Sequence, residues 1–258
     1  MLGEPPPSQG DLHFQLFGIP VRVHPLFWLV SLLLGIRGAE GGPVPLLIWV
    51  AAVFVSILVH ELGHAVAALA HGWKPWITLY GFGGLASYQP THHDARSQIL
   101  ISLAGPGAGF FLIAFVMAGV HASGHAVYIA PATGLPYWIF YKEFASDYMN
   151  ILVSDLLYIN IFWGIVNLLP VYPLDGGKIA RELFVEFSPR DGLRQSLWLS
   201  VWTAAGLAIF GAISLSSIFI ALFFGFMAYN SYQMLQLPGG GGFGGGFGGG
   251  FGGGRRPW

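Results

Sequence analysis

The sequence predicts an all-α polytopic membrane protein of about six transmembrane helices, with a small β-hairpin between helices 2 and 3. Three observations predict it. Of 258 residues, 54% are hydrophobic and only 9% charged, and the mean hydropathy is +0.63. Soluble domains carry roughly 25% charge, so lipid must cover much of this surface. The apolar residues also fall in long runs, and the basic residues divide unequally between the segments joining them.

Residues 1–12 are polar and proline-rich and are expected to be disordered. They lack a basic region ahead of the apolar stretch, so no cleavable signal peptide is read there and the first hydrophobic segments are expected to remain. His13 to Val23 partly alternates, which suits a short strand or an interfacial segment. Pro25–Ile36 is a span candidate, though short against the roughly 20 residues a crossing helix needs. Pro45–Ala70, Gln98–Val120, Met149–Leu169, Ser196–Ile213 and Leu215–Leu235 complete the count of six. With the N-terminus inside, Arg22, Lys74, Arg96, Lys178, Arg181, Arg190, Arg194, Arg255 and Arg256 fall on the cytoplasmic side. Arg37 and Lys142 fall opposite. That bias follows the positive-inside rule and puts both termini in the cytoplasm.

Two stretches are not simple spans. Lys74–Gln89 sets β-branched and aromatic residues around a glycine cluster, a hairpin pattern. Val127–Tyr141 is aromatic, broken by Pro and Gly, and suits the outer interface. The Gly/Phe-rich stretch 238–258 is expected to be a flexible tail. This leaves 13–237 as the core. The net charge of −1 argues against nucleic acid as a partner. The absence of cysteine excludes disulfides and thiolate metal sites.

His60-Glu61-Leu62-Gly63-His64 carries the chemistry. Residues four apart share one helix face about 6 Å apart along the axis, so two imidazoles can meet one Zn²⁺ with a glutamate beside them as general base. The motif lies within an apolar run, where ionisable groups are costly and usually functional. A third ligand is required, with one position left for water. Asp175, beyond Pro170 and Pro173 and before Gly176–Gly177, is the candidate; the glycines are expected to allow a sharp turn there. The topology brings that turn to the side toward which His60 and His64 run. Capping of the following helix is the plainer role for Asp175.

These paired motifs resemble the site-2 protease family of intramembrane metalloproteases, peptidase M50-like. The resemblance rests on HELGH at His60–His64 and on NLLPVYPLDGG at Asn167–Gly177. Gly81–Pro90 and Ile101–Phe110 also resemble family elements, and the likeness covers about residues 13 to 235. It implies one zinc per chain on His60, His64 and Asp175. It also implies Glu61 as acid and base, Asn167 as a substrate or oxyanion partner, and a membrane-anchored protein or peptide as substrate. No PDZ or CBS segment is evident, so a bare catalytic core is expected, in a prokaryotic cell membrane. The residues do not choose a substrate or an oligomeric state.

Other features carry plainer readings. Asn167 and Asn160 also suit helix–helix hydrogen bonds. His121 and His125 stand four apart, but Gly124 and the end of the span interrupt them. His92, His93 and Asp94 read as a solvated loop, His71–Gly72 as a helix C-terminus, and Gly105–Gly107 as a bend or a close helix contact. Leu79–Ser87 offers a strand edge on which an unwound substrate would extend. Two other classes remain: a prenyl-protein-type metalloprotease drawing on Glu143, Glu182 or Glu186, and a metal transporter or inactive relative. Intact Glu61 argues against the last.

Overall fold

The computed structural model describes residues 4–36, 42–81, 83–91, 94–132 and 135–236. His92, His93, Arg37 and the tail from 238 lie outside the described residues. In chain order the elements are β1 (Leu12–Leu16), β2 (Ile19–Val23), α1 (Pro25–Gly35), α2 (Pro43–Ala70), β3 (Pro75–Tyr80), β4 (Gly83–Tyr88) and α3 (Ala95–Ala122). Then follow β5 (Val127–Ala132), β6 (Leu135–Tyr141), α4 (Asp147–Asn167), α5 (Asp175–Phe187), α6 (Gly192–Ile213) and α7 (Ile218–Gln236).

Five helices, α2, α3, α4, α6 and α7, are long and apolar enough to cross a membrane. Their outward faces stay apolar: Leu47, Phe111, Trp202 and Leu222 are all exposed, which lipid rather than water accommodates. The expected sixth span is the difference. α1 has 11 residues, about 16 Å of helix against a hydrocarbon core of about 30 Å. It packs antiparallel beside the start of α2, where Trp49 Nε1 donates to Ser31 O at 3.0 Å.

The hairpin expected between helices 2 and 3 is β3–β4, but it belongs to a larger sheet. Four strands run in the order β1-β2-β3-β4. β1 and β2 pair antiparallel from Leu12↔Val23 to Leu16↔Ile19. β2 and β3 pair parallel at Val21↔Ile77 and Val23↔Leu79. β3 and β4 pair antiparallel from Pro75↔Tyr88 to Tyr80↔Gly83. A parallel pair needs a long crossover, and α1 with α2 provides it. Alternation then sorts the faces: Ile19, Val21, Val23, Ile77 and Leu79 are buried together against Phe27, Ile57, Leu58 and Ala65.

The opposite face holds Arg22 and Thr78, which residues 4–11 cover. Composition alone suggested disorder over this segment. Here Pro5 O accepts from Arg22 Nη2 at 2.6 Å, Asp11 lies 3.6 Å from Arg22 Nη1, and Glu4 accepts from Thr78. A buried cation draws anionic and carbonyl partners because leaving it unpaired is expensive. At the other end of the helices, β5 and β6 pair antiparallel, with Tyr128 and Tyr137 exposed.

Candidate metal centre

Each ligand reaches the site for a local reason. α2 ends at Ala70, with His71 as C-cap and Gly72 at φ +79, the left-handed turn glycine takes without strain. Its upstream turns present His60, Glu61 and His64 on one side. Gly63 lets α3 approach closely, because a Cβ there would stand 2.3 Å from Ala104 O. Gly105 on α3 does the same at the imidazoles: a Cβ would lie 2.2 Å from His64 Nε2 and 2.8 Å from His60 Nε2. Ile101 O, one turn earlier, takes the His64 Nδ1 proton at 2.6 Å. That bond fixes the tautomer and leaves Nε2 as a donor lone pair.

Asp175 arrives from the opposite side. The segment between α4 and α5 packs into α6 and α7, with Val171 and Leu174 in one cluster with Ala204, Phe224 and Met227. Tyr172 N donates to Ser200 Oγ at 3.0 Å, and Tyr172 O accepts from Ser231 Oγ at 3.4 Å. The sequence reading missed both serines; Ser200 shares α6 with Ser196 and Thr203, and Ser231 follows Asn230 on α7, so neither stood out. Gly176 and Gly177 correct the expected sharp turn. Both are helical residues of α5, and a Cβ would stand 2.1 Å from Leu168 O and 2.4 Å from Val171 C respectively. They allow α5 to seat its first turn on the preceding backbone.

The result is one cluster. Asp175 Oδ2 lies 3.1 Å from His60 Nε2 and 3.2 Å from His64 Nε2, and the two Nε2 atoms are 3.2 Å apart. Ligands about 2.0–2.1 Å from a tetrahedral zinc stand about 3.3 Å from one another, so the observed triangle fits that ion. Among the described residues, these three form the group able to hold a metal. All three are at most 6% exposed. Burial alone would push the Asp175 carboxyl up; without a metal, protonated His64, the Lys178 ammonium and a hydrogen bond from His60 hold it well below the usual carboxylate range. Lys178 Nζ stands 3.0 Å from Asp175 Oδ1. Partial burial works against that ammonium, but Asp175 and then Glu61 raise its pKa above the ordinary lysine value.

Glu61 faces the sheet. Its Oε2 accepts from Ala86 N of β4 at 2.7 Å, and its Cγ would stand 2.3 Å from a Cβ at Gly84. The glycine therefore makes room for the carboxylate, and the strand amide orients it. Asn167 is buried, but it donates to Trp163 O of its own helix at 2.9 Å rather than to the metal group. Asn160 joins helices, donating to Ser56 Oγ on α2 at 2.8 Å. Asp94 caps α3, accepting from Ser97 N at 2.9 Å.

A bundle of membrane-length helices enclosing a buried His-His-Asp group defines a polytopic membrane protein with a metal-binding core. Residues 48–210 match Peptidase family M50, and the chain belongs to that family. It is 26% identical over 231 residues to zinc metalloprotease MJ0392 of Methanocaldococcus jannaschii, covering 87% of this chain and 61% of that protein. It is 30% identical over 180 residues to sll0528 of Synechocystis, named as a zinc metalloprotease, covering 65% and 42%. It is 25% identical over 173 residues to stage IV sporulation protein FB of Bacillus subtilis, covering 66% and 50%. The chain thus spans about two-fifths to three-fifths of these relatives. The solved site-2 protease from Methanocaldococcus jannaschii shares the fold, with a TM-score of 0.57 and 22% identity over 88% of this chain and 96% of that one.

Proposed function

We propose that this chain is a zinc metalloendopeptidase of the site-2 type. It hydrolyses peptide bonds in or near the transmembrane segments of membrane-anchored proteins or peptides. The observation that carries the reading is the convergence of His60 Nε2, His64 Nε2 and Asp175 Oδ2 with Glu61 held beside them. When bound on these atoms, zinc supplies a Lewis acid that polarises the scissile carbonyl and makes water nucleophilic near neutral pH. Glu61 takes a proton from the attacking water on Oε1, while Ala86 N–H keeps Oε2 fixed. The same carboxyl then gives that proton to the leaving amide nitrogen. Asn167 supplies an amide to the substrate carbonyl once its side chain leaves Trp163 O.

The substrate helix must unwind before it is cut, since its peptide groups are paired within it. β4 is a terminal strand of its sheet, and its Ala86 amide already reaches Glu61. An extended substrate adding along β4 would lie against the base. Methylating alternate backbone nitrogens of a peptide substrate is expected to slow cleavage sharply. Cleavage as fast as that of the unmethylated peptide would remove β4 from the reading.

The charge bias supports an orientation with both termini cytoplasmic, and the organisms of the relatives favour a prokaryotic cell membrane. That orientation requires a sixth crossing beside the five long helices, to which the short apolar α1 would contribute. The test of the whole reading uses protein purified in detergent, its zinc content, and single-span model substrates. Wild type should hold about one zinc and cleave. Glu61→Gln should keep the zinc and lose about 10²–10⁴-fold in rate. Equal rates in the two proteins would sink the role of Glu61, and a folded wild type without zinc would sink the site. Zinc transport into vesicles without cleavage would favour the transporter class instead.

A further inference from the structure

The two oxygens of Asp175 have different partners. Oδ2 meets His60 Nε2 and His64 Nε2 at 3.1 and 3.2 Å, while Oδ1 meets Lys178 Nζ at 3.0 Å. Lys178 lies three residues further along α5, on the same face as Asp175. Its place is set by backbone packing, since Gly176 and Gly177 bring that first turn onto Leu168 and Val171. Neither metal motif includes this lysine.

We infer that Lys178 is a positioning residue that holds Asp175 as a one-oxygen ligand. A carboxylate can give a metal one oxygen or two. With Oδ1 engaged by an ammonium, the second oxygen can join the metal only by giving up a charge-assisted hydrogen bond. A catalytic zinc needs three protein ligands and a free fourth position; a two-oxygen aspartate would crowd that position. Partners of this outer kind are typically worth 10–100-fold in metal affinity.

Exposed ion pairs at this spacing contribute little, about 0–1 kcal/mol. This pair is asymmetric: the Lys178 side chain is 42% exposed, but that of Asp175 is only 4% exposed. Removing the lysine strands a buried anionic oxygen, and the nearest cation available to it is then the metal.

The inference rests on His60, His64 and Asp175 being the zinc ligands, and its test separates the two claims. Zinc affinity is measured by chelator competition, and the coordination shell by zinc X-ray absorption, on wild type, Lys178→Met, Lys178→Gln and Lys178→Arg in detergent. The neutral variants should bind zinc about 10–100-fold more weakly and show an added, longer oxygen contact; Lys178→Arg should restore both. If Lys178→Met fails to fold, Lys178→Gln gives the same comparison. Wild-type affinity and coordination in the neutral variants overturns the inference and leaves the metal site standing. Weakened binding that arginine does not restore also overturns it, because packing rather than charge would then be responsible. Folded wild type that takes up no zinc overturns both.

Discussion

Two pairs of histidines stand four residues apart in this chain, and only one becomes part of a group able to hold a metal. His60 and His64 lie within α2, buried, with Nε2 atoms 3.2 Å apart and Asp175 within 3.2 Å of both. His121 sits exposed in the last turn of α3, and His125 lies past the helix end, beyond Gly124 at φ +86. There His125 bonds Ser123 Oγ at 3.1 Å and packs its ring 4.0 Å from that of Phe144. Equal spacing therefore gave unequal chemistry. The first pair is held by a continuous helix and met by a carboxylate from a distant segment; the second loses its helical register at the glycine. A helical pair supplies two ligands at most, and the third is a tertiary event.

The comparison can be broken most directly at the ligands. His60→Ala or Asp175→Ala should reduce bound zinc from about one per chain to near none and abolish cleavage. His121→Ala and His125→Ala should leave both unchanged. Zinc retained without Asp175, or lost with His121, would reverse the contrast.

It is sharpened next within α3. Gly105→Ala puts a Cβ 2.2 Å from His64 Nε2, whereas Gly107 has nothing within 4 Å of that position. Displacing a reacting group by about 1 Å costs on the order of 100-fold. Gly105→Ala should lose about that much cleavage while Gly107→Ala keeps its rate; similar rates for the two would mean the imidazoles are not held by α3.

The smallest effect concerns what brings Asp175 in. Ser200→Ala removes the hydrogen bond between Tyr172 N–H and Ser200 Oγ, and losing one such bond costs about 0.5–1.5 kcal/mol. The variant should melt at a lower temperature in detergent and bind zinc more weakly. Wild-type melting would show that α6 does not hold this segment.

Much of the site was legible because its signals are local. HELGH needs only a helix, and an ionised motif inside an apolar run advertises its own cost. Asp175 was legible through the prolines and glycines around it, although its glycines serve close packing rather than a turn. Gly84 and Gly105 were visible as glycines but not as room for Glu61 and the imidazoles. Lys178 read as a loop charge, because nothing local says which oxygen of Asp175 it meets.

The sheet shows the same division. The β3–β4 hairpin is local and was readable; the parallel pairing of Val21 with Ile77 joins strands more than fifty residues apart, and no short pattern encodes it. By itself the sequence indicated the membrane class, the five long apolar helices and the candidate ligands, since hydropathy and 3.6-residue spacing act over one element. Only the tertiary structure decided that α1 is too short to span alone, that Ala86 orients Glu61, and that α6 and α7 carry Asp175 to the histidines. Those outcomes depend on packing between distant segments, which becomes defined only when the whole bundle closes.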